Sequence, residues 1–200
     1  MKPSVRPRLL EAAIVLFAEH GYSGVNVQDI LLKATTNLNS FRTYFTDKKG
    51  AFAAVLEEEL ERAPAASEMA MMLVQNRKKQ DMRSLVRHMV QSWYESLSLQ
   101  TARLLTYTFL SGHEEWRKKA NKYLSQVTEV IASSIGEIET ASTAKYKLNP
   151  EAAAKLLVLA LLGLKVIESA PRPAKARSAE ADLIIDQCLY PLFASAPKEK

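Results

Sequence analysis

Cysteine occurs once in the 200 residues, at Cys188, so no internal disulfide can form. It lies in the apolar stretch LIIDQCLYPLF, where a small buried hydrophobe is the expected role rather than a nucleophile. Glycine is scarce too, with six residues, while Ala, Leu, Glu and Lys recur throughout, a balance that favours helix over sheet. No N-terminal segment joins a basic start to an apolar signal core. The most apolar run, LLVLALLGL at 156–164, is bounded by Lys155 and Lys165 and is too short to span a bilayer. A reducing cytoplasm is the expected location, with no membrane partner.

The chemistry of catalysis is equally thin. His20, His88 and His113 lie far apart in sequence, and no His/Cys/carboxylate cluster has metal-ligand spacing. There is no glycine-rich phosphate loop and no Gly-x-Ser-x-Gly elbow. The glutamates of EEELE at 57–61 read as a solvated helix face. The expectation is a protein that is not an enzyme, with no catalytic residue, metal or cofactor.

What is present is an ordinary globular balance, 48% hydrophobic and 24% charged, with a net charge of +5. The basic excess is compatible with a polyanionic partner without specifying one. RPRLLEAAIVLFAEHGY reads as a helix ended by Gly21, and Lys2, Arg6 and Arg8 as a basic arm ahead of it. Asn26 is a good N-cap for a second short helix, VQDILLKA, with Asp29 in its first turn. Asn37 caps a third, about two turns long through Tyr44, and Asp47 a fourth that runs from Lys48 to the break at Pro64. Helices this short are unstable alone, so the four must share one core. Ile14, Phe17, Ile30, Leu31, Phe41, Phe45 and Phe52 are its expected contents. Beyond Pro64 longer helices are expected at roughly 66–78, 82–98, 101–112, 114–139, 150–169 and 178–194. Asn149 and Pro150 form the start of the fifth of these, and PRPAKARSAEAD reads as a linker before the last.

A short helix, a tight turn and a second short helix with a polar start outline a helix-turn-helix. Side chains near the start of the second helix reach base edges in a major groove. Here they are Thr36, Asn37, Leu38, Asn39 and Ser40. Arg42, Thr43, Tyr44, Lys48 and Lys49 have the types suited to phosphate contacts, which orient without specifying.

The combination of AA…LFAEHGY in the first helix, V-x-D-I in the second and YF-x-x-K at the end of the third resembles the DNA-binding domain of the TetR (tetracycline repressor) family. The resemblance covers about residues 8–60. It implies that Ser40 and Tyr44 approach the DNA backbone, that Lys48 contacts phosphate, that Asn26 does so at the second helix, and that Phe45 locks the motif to its core. Three places depart from the family pattern. Thr35-Thr36 replaces a usual Gly-Val at the turn, Leu38-Asn39 a frequent Lys-Gly, and Arg42 the usual Tyr. A β-branched residue at a positive φ is an outlier, so a different turn geometry is expected. Leu38 removes a charge facing DNA, which Arg42 restores.

The fold expected is all-α, with an N-terminal three-helix helix-turn-helix DNA-binding domain at 1–60 and a larger helical domain at 61–200. Five methionines cluster between Met69 and Met89, and Met82, Val86, Met89, Trp93 and Leu97 share one helix face. By periodicity they are either core filler or the adaptable wall of a ligand pocket. The resemblance implies a pocket between these helices, for which Met82, Met89, Trp93, Tyr94, Tyr107, Phe109, His113, Trp116 and Tyr123 are candidates. It also implies that the last two helices pair with their copies, giving Leu157, Leu161, Leu164, Leu183, Ile184, Leu189 and Leu192 as candidates for a dimer interface. The implied partners are an operator duplex, a second copy of the chain and a small-molecule effector, and the implied function is ligand-released repression. Two other readings stay open: a small-molecule- or partner-binding helical protein without operator binding, and an effector-independent DNA-binding activator.

Overall fold

The computed structural model describes residues 4–76, 81–140, 149–167 and 174–193. Among them are ten helices and no strand: α1 (Val5–His20), α2 (Val27–Lys33), α3 (Leu38–Tyr44), α4 (Lys48–Arg62), α5 (Ala66–Asn76), α6 (Met82–Ser96), α7 (Leu99–Leu110), α8 (Glu114–Thr140), α9 (Pro150–Ile167) and α10 (Ala174–Phe193). The all-α expectation holds, and the four N-terminal helices fall where their caps place them. The segment expected as a linker is helical from Ala174 onward. Its Ala, Lys, Arg and Glu residues are all strong helix formers.

The helices form two compact units. The first comprises residues 1–63 with 98–121, and the second 64–97 with 122–200. In the first, α1 packs on α2, α3, α4 and α7, and α4 also packs on α7. All seven expected core residues of this head are buried. Phe17 and Phe52 meet edge to face with centroids 5.0 Å apart, and Phe41 and Phe45 are 5.4 Å apart. Trp116, from the start of α8, joins the same core, its ring 4.3 Å from Phe52 and 4.8 Å from Tyr22. Such pairs add about 0.5–1.5 kcal/mol each beyond burial.

Gly21 ends α1 at φ +69°, and its N–H donates to Phe17 O. The positive φ requires glycine there, and an added Cβ would stand 3.3 Å from the Tyr107 ring. Glu59 departs from its expected solvated position: it is 5% exposed. Its Oε2 accepts from Thr101 Oγ1 at 2.8 Å and Ser98 Oγ at 3.3 Å, and its Oε1 from Arg62 at 3.3 Å. Ser98 is the N-cap of α7, so the carboxylate lies at the positive end of that helix.

In the second unit α6 packs on α5 and α10, and α10 on α9. Arg87 of α6 donates to both carboxylate oxygens of Asp186 on α10, at 2.7 and 3.4 Å. Trp93 Nε1 donates to Tyr123 Oη at 3.1 Å, and that hydroxyl donates to Pro64 O at 3.2 Å. Asn149 caps α9 as expected, its Oδ1 accepting from the N–H groups of Glu151 and Ala152. Cys188 is half-buried in α10, and burial pushes its thiol pKa up.

Candidate nucleic-acid interface

Two short helices and the turn between them make the candidate surface. Asn26 and Asp29 form a capping box on α2: Asp29 N–H donates to Asn26 Oδ1 at 3.0 Å, and Asn26 N–H to Asp29 Oδ2 at 2.8 Å. Asn37 caps α3 by accepting from Ser40 N–H at 3.0 Å. In both asparagines the carbonyl oxygen is used by the cap, which leaves the side-chain NH2 to reach outward. Phe41 and Phe45 face the core and turn the opposite side of α3 to solvent.

The turn keeps the left-handed geometry although a threonine replaces glycine. Thr35 has φ +48°. Its N–H donates to Leu32 O at 3.1 Å, and Thr36 N–H donates to Leu31 O at 3.0 Å. That crossed pair is a Schellman closure of α2. The expectation of a different turn is therefore overturned: the two hydrogen bonds, with buried Ala34 on one side and the Asn37 cap on the other, hold a conformation costing about 1–3 kcal/mol.

The outward side of α3 carries Leu38, Asn39, Arg42, Thr43 and Tyr44, all exposed, with Thr36 and Ser40 half-buried at its margin. Thr43 Oγ1 donates back to Asn39 O at 3.0 Å. Leu38 is 37% and Tyr44 43% exposed. With the Asn37 cap, the surface thus offers the Leu38 side chain, the amides of Asn37 and Asn39 and the Arg42 guanidinium, matched in type to a thymine methyl, base-edge donors and acceptors, and phosphate.

Lys48, the residue implied to contact phosphate, has its ammonium held by the loop between α1 and α2. Its ammonium donates to Tyr22 O at 3.0 Å and Val25 O at 2.9 Å and lies 4.3 Å from the centroid of the Tyr22 ring. A cation at the first position of α4 opposes the helix dipole, and the two loop carbonyls and the aromatic face compensate it. Arg8 also moves. It lies in the first turn of α1 rather than in an arm ahead of it, and its Nη1 donates to Ala34 O at 3.2 Å and Thr35 O at 3.4 Å. No local pattern in the sequence signals that contact, which spans 26 positions. Lys2 lies outside the described residues.

The residues expected around a ligand divide between the two units. Tyr107, Phe109, His113 and Trp116 belong to the first, where Trp116 is core and His113 lies 4.0 Å from it and 5.3 Å from Tyr22. Those two positions therefore serve the head's aromatic packing. Met82, Met89, Trp93, Tyr94 and Tyr123 belong to the second, with Met89, Trp93, Tyr94 and Tyr123 buried. Among the described residues no group of three or more His, Cys, Asp or Glu is placed to hold a metal, and no helix is long and apolar enough to cross a membrane.

The expected dimer residues divide as well. Leu157 and Leu161 are fully buried in their own unit, because α9 turns them toward its neighbours. Leu164 and Ile184 are half-buried, Leu183 is exposed, and the side chains of Leu189 and Leu192 lie outside the described residues. The exposed side of α9 instead carries Ala152, Leu156, Leu159, Ala160 and Ile167, spaced on one helical stripe, with Leu156 65% and Leu159 58% exposed.

The head of this all-α chain has the outline of a helix-turn-helix with a polar outward face. Residues 9–55 match the family described as bacterial regulatory proteins, tetR family. No curated protein sequence matches the chain. Solved structures share its fold over nearly the whole length. A tetR-family bacterial regulatory protein from Rhodococcus RHA1 is 19% identical at a TM-score of 0.69, covering 96% of this chain and 98% of its own. The TetR-family regulator PfmR from Thermus thermophilus is 18% identical at 0.67, covering 92% and 96%. Reduced NemR from E. coli is 17% identical at 0.62, covering 96% and 98%. Residues 9–55 thus carry the DNA-binding head of the tetR family, and the whole chain shares its fold with solved TetR-family regulators.

Proposed function

We propose that the chain is a cytoplasmic repressor that binds a palindromic operator as a homodimer and releases it when a small-molecule effector binds. The observation that carries the reading is the outward face of α3. Leu38, Asn39 and Arg42 are exposed on a helix locked from behind by Phe41 and Phe45, at the end of a turn kept in left-handed geometry. That geometry favours operator reading over a head that has lost it. Asn26, Asn37, Ser40, Thr43 and Tyr44 supply orienting contacts to phosphate, while Lys48 acts from within the head.

Dimerisation follows from the apolar stripe of α9, with Leu183 of α10, as the surface that meets a second copy. Twofold symmetry then sets two recognition helices about 34–36 Å apart, one turn of duplex. Effector contacts are assigned to Met82, Met89, Trp93, Tyr94 and Tyr123, where methionines can re-pack around a guest. The effector acts by its differential affinity for two states of the dimer, commonly about 1–3 kcal/mol of coupling.

Selection of bound duplexes from random DNA tests the reading. Enrichment of a palindrome with half-sites one helical turn apart is expected. A folded, dimeric protein that enriches nothing refutes it. A small-molecule library read by thermal shift tests the effector, since a ligand of the folded state raises Tm.

A further inference from the structure

We propose that Arg8 is a positioning residue for DNA reading, one that braces the helix-turn-helix turn from α1 and leaves the DNA untouched. The inference rests on the DNA-binding function proposed above.

Only Ala34, Thr35 and Thr36 separate the end of α2 at Lys33 from Asn37, the cap of α3. The direction in which α3 leaves the turn is therefore set by the backbone of Thr35, which holds φ +48° against the preference of a β-branched residue. Relaxation of Thr35 to a negative φ would break the Leu31 and Leu32 closures and swing the start of the recognition helix. Arg8 opposes that relaxation. Its Nη1 donates to the carbonyls of both Ala34 and Thr35, the groups that would rotate. The neighbours Leu9 and Leu10 are buried, which fixes the register of α1 and aims the Arg8 stem at the turn. Arg8 Nε is itself buried and has no hydrogen-bond partner among the described residues, so the guanidinium is committed inward. A cation at the Ala34 C-cap carbonyl also faces the partial negative charge at the C-terminal end of α2. Glycine at position 35 needs no such brace, since it adopts positive φ freely. Thr35 and Arg8 are thus two halves of one device.

Two measurements on the full-length protein test it. The first is native-state hydrogen exchange, which needs no DNA. In Arg8→Gln, the amides of Thr35, Thr36 and Phe41 are expected to exchange about tenfold faster, while Ala51 in α4 is unchanged. In a Thr35→Gly background the same substitution should accelerate them by about threefold or less, because coupled residues are non-additive. Equal acceleration at Ala51, or none at the turn, overturns the brace. Arg8→Lys, which keeps the charge, takes the place of Arg8→Gln if that variant does not fold.

The second is affinity for a duplex that the wild type enriches from random DNA, measured across salt concentrations. Arg8→Gln is expected to bind about tenfold more weakly with the salt slope unchanged, and Thr35→Gly to recover most of the loss. A slope reduced by about 0.9 for each lost contact marks Arg8 as a phosphate ligand and overturns the proposal. If the wild type enriches no duplex, DNA reading fails and the positioning role falls with it, while exchange still reports whether Arg8 holds the turn.

Discussion

The Glu59 carboxylate and the Thr101 hydroxyl meet at 2.8 Å inside the head, 42 positions apart in sequence. They tie α4, which follows α3 directly, to the first turn of α7. The bond is charge-assisted, and the carboxylate is buried with Ser98 and Arg62 as its other partners. A buried acid needs such company, because an unpaired one is costly.

Removal of that carboxylate should destabilise the head. Glu59→Ala strips the acceptor from the Thr101 and Ser98 hydroxyls and leaves a void, at an expected cost of about 1–3 kcal/mol. Glu59→Gln keeps one carbonyl acceptor and should cost less. Urea unfolding compares the two. Glu57 is the control: it is 61% exposed and its bond to Lys119 lies at the surface, so Glu57→Ala should stay within about 1 kcal/mol of the wild type. Equal effects at 57 and 59 would contradict the buried network.

Lys48 gives a second separation of roles. Lys48→Met keeps the stem and deletes the ammonium that binds Tyr22 O and Val25 O. Hydrogen bonds from charged donors contribute about 1.5–3 kcal/mol, so the head should lose stability on that scale. The salt dependence of DNA binding should stay at the wild-type slope, since the charge faces the loop between α1 and α2. A lower slope at full stability would restore Lys48 to the phosphate contacts.

Local signals were legible from the residues alone wherever one short-range preference decided the outcome. Asn26, Asn37 and Asp47 each cap the helix expected of them, and the apolar spacing of α1 to α4 picks out the core. What stayed hidden depends on partners far along the chain. Glu59 and Lys48 look solvated by type, and only the approach of α7 or of the α1–α2 loop shows otherwise. Trp116 shares a composition with a pocket wall yet completes a core begun about a hundred positions earlier. On α9 the apolar residues run almost all round the helix, so periodicity alone could not separate inner Leu157 and Leu161 from outer Leu156 and Leu159.

Tyr123 makes alkaline stability testable. Burial pushes its phenol up to about 12, although the hydrogen bond from Trp93 pulls the other way. In the unfolded chain the same group loses its proton near pH 10. Between those values the folded state binds more protons, so stability falls as pH rises through that window, by about 3 kcal/mol from this group. Below pH 10 the contribution is fully present. Tyr123→Phe should lower stability at neutral pH, because Trp93 Nε1 and Pro64 O lose their partner, and it should flatten the loss between pH 10 and 12. Unfolding free energy against pH for both proteins reads both effects. An equally steep alkaline loss in the variant would assign that loss to other groups.

On the proposed operator reading, α3 makes the sharpest demand on DNA sequence. Leu38 offers only methyl groups at the start of α3, and the thymine C5-methyl is the base feature that rewards apolar contact. Asn39 is exposed beside it, and an asparagine amide pairs in two places with adenine N6 and N7. Each half-site is therefore expected to hold adjacent positions fixed as A·T pairs. Leu38→Lys exchanges the methyl contact for a cation suited to guanine O6 and N7. Selection from random DNA with this variant should shift one position of each half-site from T toward G and leave the half-site spacing intact. The discrimination at stake is about 1–3 kcal/mol per pair, roughly 5- to 150-fold in enrichment. Because the lysine adds one charge for each recognition helix, the salt slope should steepen as the preference moves. A steeper slope with an unmoved preference would mean that Leu38 lies over the backbone, and that Asn39 and Arg42 read the bases without it.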